Sequence, residues 1–263
     1  MSFIDVHTHA FHPKIADKVL AQLEGHYGIA PVGSGLTEDL LARLDRAGIG
    51  KAVVHTAATD ASQVIPANNW ALSLEAGYGG RIVAFGTMHA DYPEPEKELD
   101  RIAAKGLRGL KFHNDFQGFR MDDPRLSDIL EAAADRFVVM FHVGDKGDPD
   151  RNPSCPRKLA ALHERFPDTP MIAAHLGGFQ HWKYALDCLV GTEVYMDTSS
   201  SLSFIDDETL RAIFEGHPRE RILFGSDYPL FDPSDEAHRL QERLGLSDEE
   251  LTDILANGER LLG

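Results

Sequence analysis

Cysteine is scarce in this chain: Cys155 and Cys188 are the two present in 263 residues, and they form no CxxC pair. They read as reduced thiols in a cytoplasmic protein rather than as a disulfide. Basic charge is also in deficit, with 26 Lys and Arg against 42 Asp and Glu and a formal net charge of −16. Such a surface repels a phosphate backbone, which argues against nucleic acid as a partner. No polybasic tail or basic amphipathic stretch offers a hold on a membrane surface. No apolar run is long enough to cross a bilayer. The opening Met1-Ser2-Phe3-Ile4-Asp5 has neither the basic start nor the apolar run of a signal peptide. A Gly-rich phosphate fingerprint after the first apolar run is missing, which weakens a dinucleotide-binding fold. No G-x-S-x-G surrounds Ser199, Ser200 and Ser201, so a serine nucleophile is not indicated. Repeats, low-complexity segments and an obvious linker are lacking too, and residues 1–263 read as one domain.

What the chain does have is a regular alternation. Eight short apolar segments rich in β-branched residues occur at Phe3–Val6, Ala52–Val54, Ile82–Phe85, Leu107–Phe112, Phe137–Val143, Met171–Ala174, Val194–Met196 and Ile222–Phe224. They lack clean polar alternation, as strands covered on both faces do. Helical spacing fills the intervals. Leu36, Leu40, Leu41, Leu44 and Ala47 make one apolar face, with Gly48 as its C-cap. Asp123 caps a helix that starts at Pro124 and runs to Ala134. Ser247 and Glu250 form a capping box for a last helix reaching Leu262. Residues 24–36, with four glycines, read as an inserted loop. Eight β-then-α units in a chain of this size predict a single (β/α)8 TIM barrel, with an open doubly wound sheet as the alternative.

Barrels of this kind place their chemistry where strands run out into loops. Seven of the thirteen histidines fall there: His7, His9, His55, His89, His113, His142 and His175. Lys111, Asp197 and Asp227 occupy corresponding places. In His7-Thr8-His9 the two imidazoles lie two apart on an extended strand, so they point the same way and can converge on one ion. Lys111 and His113 share a face of the fourth strand by the same rule. Taken alone, an HxH triplet is a weak signal, Asp227 could be a loop aspartate beside a turn, and His175 a core histidine.

The ordered set is more specific. Asp5-Val6-His7-Thr8-His9, Phe141-His142-Val143-Gly144, Ala174-His175-Leu176-Gly177-Gly178 and Gly225-Ser226-Asp227-Tyr228-Pro229 occur in that sequence. Together they resemble the amidohydrolase superfamily, in particular the amidohydrolase-related branch that also contains aminocarboxymuconate semialdehyde decarboxylase. The resemblance implies one divalent metal, zinc in the first place and manganese in the second, bound by His7, His9, His142 and Asp227. It makes His175 a catalytic group beside the metal or a ligand to a second ion. Lys111 is then either a carboxylated bridge between two metals or a cation for a substrate carboxylate. The single-metal version is preferred, with Lys111 and His113 on the substrate side. Asp227 would take the proton of a water whose pKa the metal has lowered, and His175 would polarise the substrate carbonyl. Asp197 reads as structural, and the stretch from His181 to Tyr184 as helix packing.

The expected activity is hydrolysis of a small polar substrate, an ester, lactone or amide carrying a carboxylate. Non-oxidative decarboxylation of a small unsaturated or aromatic acid is the alternative, since both chemistries use the same cage. A catalytically dead binding barrel is a third reading, disfavoured by the complete ligand set. The expected partner is a small molecule, with homo-oligomerisation left open.

Overall fold

A computed structural model describes residues 3–262; Met1 and Ser2, which open the segment read above for a leader, lie outside it, as does Gly263. Nine strands follow in chain order: β1 (Ile4–Thr8), β2 (Lys51–Val54), β3 (Ile82–Ala84), β4 (Gly86–Thr87), β5 (Gly109–Phe112), β6 (Val138–Phe141), β7 (Met171–Ala173), β8 (Tyr195–Asp197) and β9 (Ile222–Leu223). All paired neighbours are parallel, in the orders β1-β2-β3 and β4 through β9. The third predicted strand is present but bends at Phe85. Its first half, β3, pairs with β2 and its second half, β4, with β5. The two ends of the chain's sheet also meet. Val6 N–H donates to the Phe224 carbonyl (2.9 Å) and Asp227 N–H to the His7 carbonyl (2.8 Å), while Thr8 bridges Tyr228. The sheet is therefore closed, and the fold is a (β/α)8 TIM barrel.

The helices are α1 (Ala16–Tyr27), α2 (Thr37–Ala47), α3 (Val64–Gly77), α4 (Pro95–Ala104), α5 (Asn114–Gln117), α6 (Pro124–Ala133), α7 (Pro156–Arg165), α8 (Trp182–Cys188), α9 (Asp207–Gly216), α10 (Pro233–Leu244) and α11 (Asp248–Leu262). Their ends follow local chemistry. Gly48 closes α2 at φ +70°, a conformation that costs a residue with Cβ roughly 1–2 kcal/mol. The Asp123 side chain accepts from Arg125 N–H (2.9 Å) to open α6. Ser247 and Glu250 exchange backbone-to-side-chain bonds of 2.8 and 3.2 Å at α11. The segment 24–36 departs from expectation. Its first residues, 24 to 27, finish α1, because Gly28 at φ +72° supplies the left-handed cap only there.

Two apolar layers result. The larger one lies between strands and surrounding helices and includes Leu40, Leu44, Leu130 and Phe141. The smaller gathers Val53, Phe85, Met140, Ile172 and Leu223 with Ile4 and Val6, drawn from around the barrel and from no helix. Such a plug makes the barrel solid, so chemistry is confined to the strand ends. No helix among the described residues is long and apolar enough to cross a membrane.

Candidate metal centre and active site

The carboxyl ends of the strands collect the ionisable residues at one mouth. His7 lies in β1 and His9 one residue past it. Lys111 is in β5, Asp197 ends β8, and His55, His113, His142, His175 and Asp227 follow their strands. His175, Ser200 and Asp227 hold φ of +62°, +49° and +64°, unfavourable for residues with a Cβ. Specific bonds hold two of them. Asp227 N–H is tied to the His7 carbonyl, and His175 N–H donates to Asp197 Oδ1 (3.2 Å). Trp182, at the start of α8, donates its indole N–H to the His175 carbonyl (2.9 Å).

The hydrogen-bond partners assign the tautomers. His7 Nδ1 donates to Asp197 Oδ2 (2.9 Å) and His9 Nδ1 to the His55 carbonyl (3.0 Å). His142 Nε2 donates to the Gly144 carbonyl (2.8 Å) and His175 Nδ1 to the Ser199 carbonyl (3.0 Å). Each ring has spent its proton on an outer partner, the arrangement that orients metal-binding imidazoles. Four lone pairs remain: His7 Nε2, His9 Nε2, His142 Nδ1 and His175 Nε2. Those of His7, His9 and His175 gather with the Asp227 carboxylate, and His142 joins them through His175. His142 Nδ1 is 2.9 Å from His175 Nε2, His9 Nε2 is 3.1 Å from Asp227 Oδ1, and His7 Nε2 is 3.6 Å from the same oxygen. His7, His175 and Asp227 each offer a ligating atom within 4.8 Å of the others. Acceptors alone repel; a cation among them resolves the conflict. Two ligands at 2.0–2.1 Å from a tetrahedral ion stand roughly 3.3 Å apart, so the spacings fit a divalent metal.

The electrostatics agree. Burial alone would raise the Asp227 carboxyl, but His7, the hydrogen-bonded His9 and His175 outweigh it and hold it well below the usual range. Asp197 is likewise held ionised, with His7 overcoming its burial. Burial pushes His7 down to about 4 and lowers His142 and His175 as well, so the imidazoles stay neutral, the form that ligates. The Lys111 ammonium, 2% exposed and without a hydrogen-bond partner, is pushed by burial to about 8.

Above the cluster opens a cavity of about 930 Å³, with His7, His9, Lys111, His142, His175 and Asp227 in its wall. The rest of its lining mixes aromatic and apolar residues, Phe11, Tyr27, Trp70, Phe116 and Phe179 among them, with polar ones such as Lys14, Lys18, Gln22 and Gln63. Helix α1 is its roof: Ala16 is that helix's one fully buried residue, while Val19, Leu23, His26 and Tyr27 face the space. His113 also lies in the cavity wall, with both ring nitrogens engaged. Its Nε2 bonds the Tyr27 hydroxyl (3.1 Å), its Nδ1 accepts from Phe116 N–H (3.4 Å), and its ring stacks on His142 at 3.8 Å and 8°. It braces the His142 ring from the side of Phe116.

Sequence reasoning did not single out Tyr27 or Phe179, and it read the His181–Tyr184 stretch as helix packing. Tyr27 carries no local mark because its hydroxyl meets His113 86 positions away, whereas the Trp182 indole reaches the His175 carbonyl only seven residues back. Asp197 was read as structural, and the fold gives that a definite content: it orients His7 and fixes the backbone of His175 and Ser199 (3.0 Å). Ser200 donates its hydroxyl to Asp227 Oδ2.

A closed barrel whose strand ends present imidazoles and a carboxylate as bare acceptors defines a metal-dependent TIM-barrel enzyme. The amidohydrolase family matches residues 4–263, and the chain belongs to that family. Among solved structures it is similar to 5-carboxyvanillate decarboxylase from Novosphingobium aromaticivorans, complexed with manganese and 4-hydroxy-3-methoxy-5-nitrobenzoic acid (16% identity, TM-score 0.73, covering 99% of this chain and 96% of that one). It is also similar to 2,6-dihydroxybenzoate decarboxylase from Rhizobium (15%, 0.71, 100% and 98%). A third is a probable 2-pyrone-4,6-dicarboxylic acid hydrolase from Acinetobacter baumannii with citric acid bound (15%, 0.69, 100% and 99%). No curated protein matches.

Proposed function

We propose that this enzyme hydrolyses a small carboxylated substrate, an ester, lactone or amide, with one divalent ion held by His7, His9, His142 and Asp227. The observation that carries the reading is the state of Asp227: a 5% exposed carboxylate, held ionised among neutral imidazoles in the wall of the cavity. An ionised carboxylate there is ready to take a proton from an attacking water, which is what hydrolysis asks of it first. The ion, when bound, supplies Lewis acidity and eases deprotonation of water near neutral pH. Asp227 then returns the proton to the leaving group. Ser200, donating to its Oδ2, keeps the other oxygen turned toward the acceptor cluster. With its Nδ1 committed to Ser199, His175 turns Nε2 to the reaction, and a proton taken there from solvent as substrate binds lets it polarise the substrate carbonyl and offset negative charge building on it. Lys111, an ammonium without a hydrogen-bond partner among the described residues, is matched to the substrate's carboxylate.

The aromatic residues in the cavity wall favour decarboxylation of an aromatic acid as the second reading, the reaction of two of the similar structures. A screen of metal-loaded protein against carboxylated lactones, esters, amides and hydroxybenzoates separates them. Two hydrolysis fragments without carbon dioxide support the first reading. Carbon dioxide with a decarboxylated ring replaces it by the second.

A further inference from the structure

Of the seven strand-end histidines, six have both or one of their ring nitrogens hydrogen-bonded, and the bond explains the ring's position. Even His89, far from the cluster, accepts from Asp91 N–H (3.1 Å) and donates to the Gln117 carbonyl (3.0 Å). His55, the residue after β2, is different. It is 1% exposed, and neither Nδ1 nor Nε2 has a partner among the described residues. Every neutral imidazole carries one N–H and one lone pair, and burying both unmatched is costly unless something else meets them. The surroundings show what would take the lone pair. The His55 ring stands edge-on to His7 (4.5 Å, 75°) and to His9 (4.6 Å, 89°). His7, His9 and His55 each offer a ligating nitrogen, all within 4.8 Å of one another. Nitrogens on opposite sides of one ion stand about 4.2 Å apart at ordinary bond lengths, so three imidazole nitrogens inside that 4.8 Å limit are grouped on the scale of one coordination sphere. The backbone carbonyl of His55 already holds His9 Nδ1 at 3.0 Å, which fixes the two residues relative to each other. His55 is not in the cavity wall, whereas His7 and His9 are, so substrate does not satisfy it.

We propose that His55 is a further ligand of the same metal, approaching from behind His7 and His9 on the side away from the cavity. This rests on the metal reading above and extends it. The donor set becomes five, His7, His9, His55, His142 and Asp227. Five protein donors exceed the tetrahedral complement that zinc takes, and suit an ion that accepts six ligands with one place left toward the cavity.

The test uses the full chain, stripped of metal and reloaded with cobalt(II), in parent, His55→Leu and His55→Gln. Leucine keeps much of the volume and cannot ligate; glutamine keeps polarity should leucine not fold. Expected for both variants are a tenfold or greater loss of cobalt affinity against a competing chelator and stronger visible absorption bands, as the coordination number falls. The metal-free melting temperature of His55→Leu should equal or exceed that of the parent, because an unmatched polar ring is gone. A histidine with a merely structural task would do the reverse: a lower metal-free melting temperature with affinity and spectrum unmoved. That result overturns the proposal and leaves the His7, His9, His142 and Asp227 site standing. A parent chain that takes up no cobalt overturns both.

Discussion

His142 Nδ1 and His175 Nε2 face each other at 2.9 Å while each ring donates its proton to a backbone carbonyl elsewhere. Two lone pairs at that distance need a cation between or beside them. The protein should therefore bind about one divalent ion per chain. His7→Ala and His142→Ala should each lose most of it, measured by metal analysis after dialysis. Full occupancy in both variants would sink the proposed cage. Close to two ions per chain would point instead to a binuclear centre with Lys111 as a carboxylated bridge.

Asp227 is asked to be ligand and proton carrier at once. Asp227→Asn keeps the shape and a coordinating oxygen but accepts no proton at neutral pH. Metal affinity should weaken moderately, while turnover of the metal-loaded variant falls by roughly a hundredfold or more. Occupancy and rate must be read on the same sample. Parent-like turnover at full loading would remove Asp227 from proton transfer.

The Lys111 ammonium has no hydrogen-bond partner among the described residues. Lys111→Met should raise KM for a carboxylated substrate by about tenfold or more, the scale of a lost charge-assisted hydrogen bond. The substrate-free protein should not be destabilised, since burial costs the ammonium more than Asp197 and Asp227 return, and an apolar chain of similar length replaces it. Because burial pushes Lys111 to about 8, parent affinity for substrate should decline as pH rises through that value, and the variant should lack the decline. Identical pH profiles for the two proteins would contradict the assignment.

Glu236 in α10 provides a test of stability away from the site. It is 1% exposed, with Arg239 against one oxygen and no hydrogen-bond partner for the other among the described residues. Burial dominates and pushes its carboxyl from 4.5 up to about 7, with Arg239 offsetting only part. A carboxyl raised on folding binds more protons folded than unfolded across that interval. Its contribution is thus complete below 4.5 and is lost as pH rises through 7. Denaturant unfolding should show the parent losing about 2–3 kcal/mol relative to Glu236→Gln between pH 4.5 and 8. A pH-independent difference between the two would show that Arg239 keeps the group ionised throughout.

The features legible in the amino-acid order are those whose physics acts over a few residues. Side chains two apart on a strand share a face, which made His7 and His9 a pair before any fold was known. Caps at Gly48, Asp123 and Ser247 with Glu250 depend on bonds spanning two to four residues. The alternation of apolar runs with helical faces set the number of β-then-α units, and the polar residue at each strand end set the candidates. What the tertiary structure alone decided lies in contacts between distant segments. Closure of the barrel needed Asp227 and Tyr228 to meet β1 across more than two hundred residues. The tautomers, which turn histidines into acceptors, depend on which carbonyl or carboxylate each ring meets, as His7 meets Asp197 190 positions away. Tyr27 reaches His113 only because α1 folds over the mouth, and no local pattern encodes that approach. His55 looked equal to its six companions in sequence; packing left its ring without a partner, because hydrogen bonding is a property of what surrounds an atom in space.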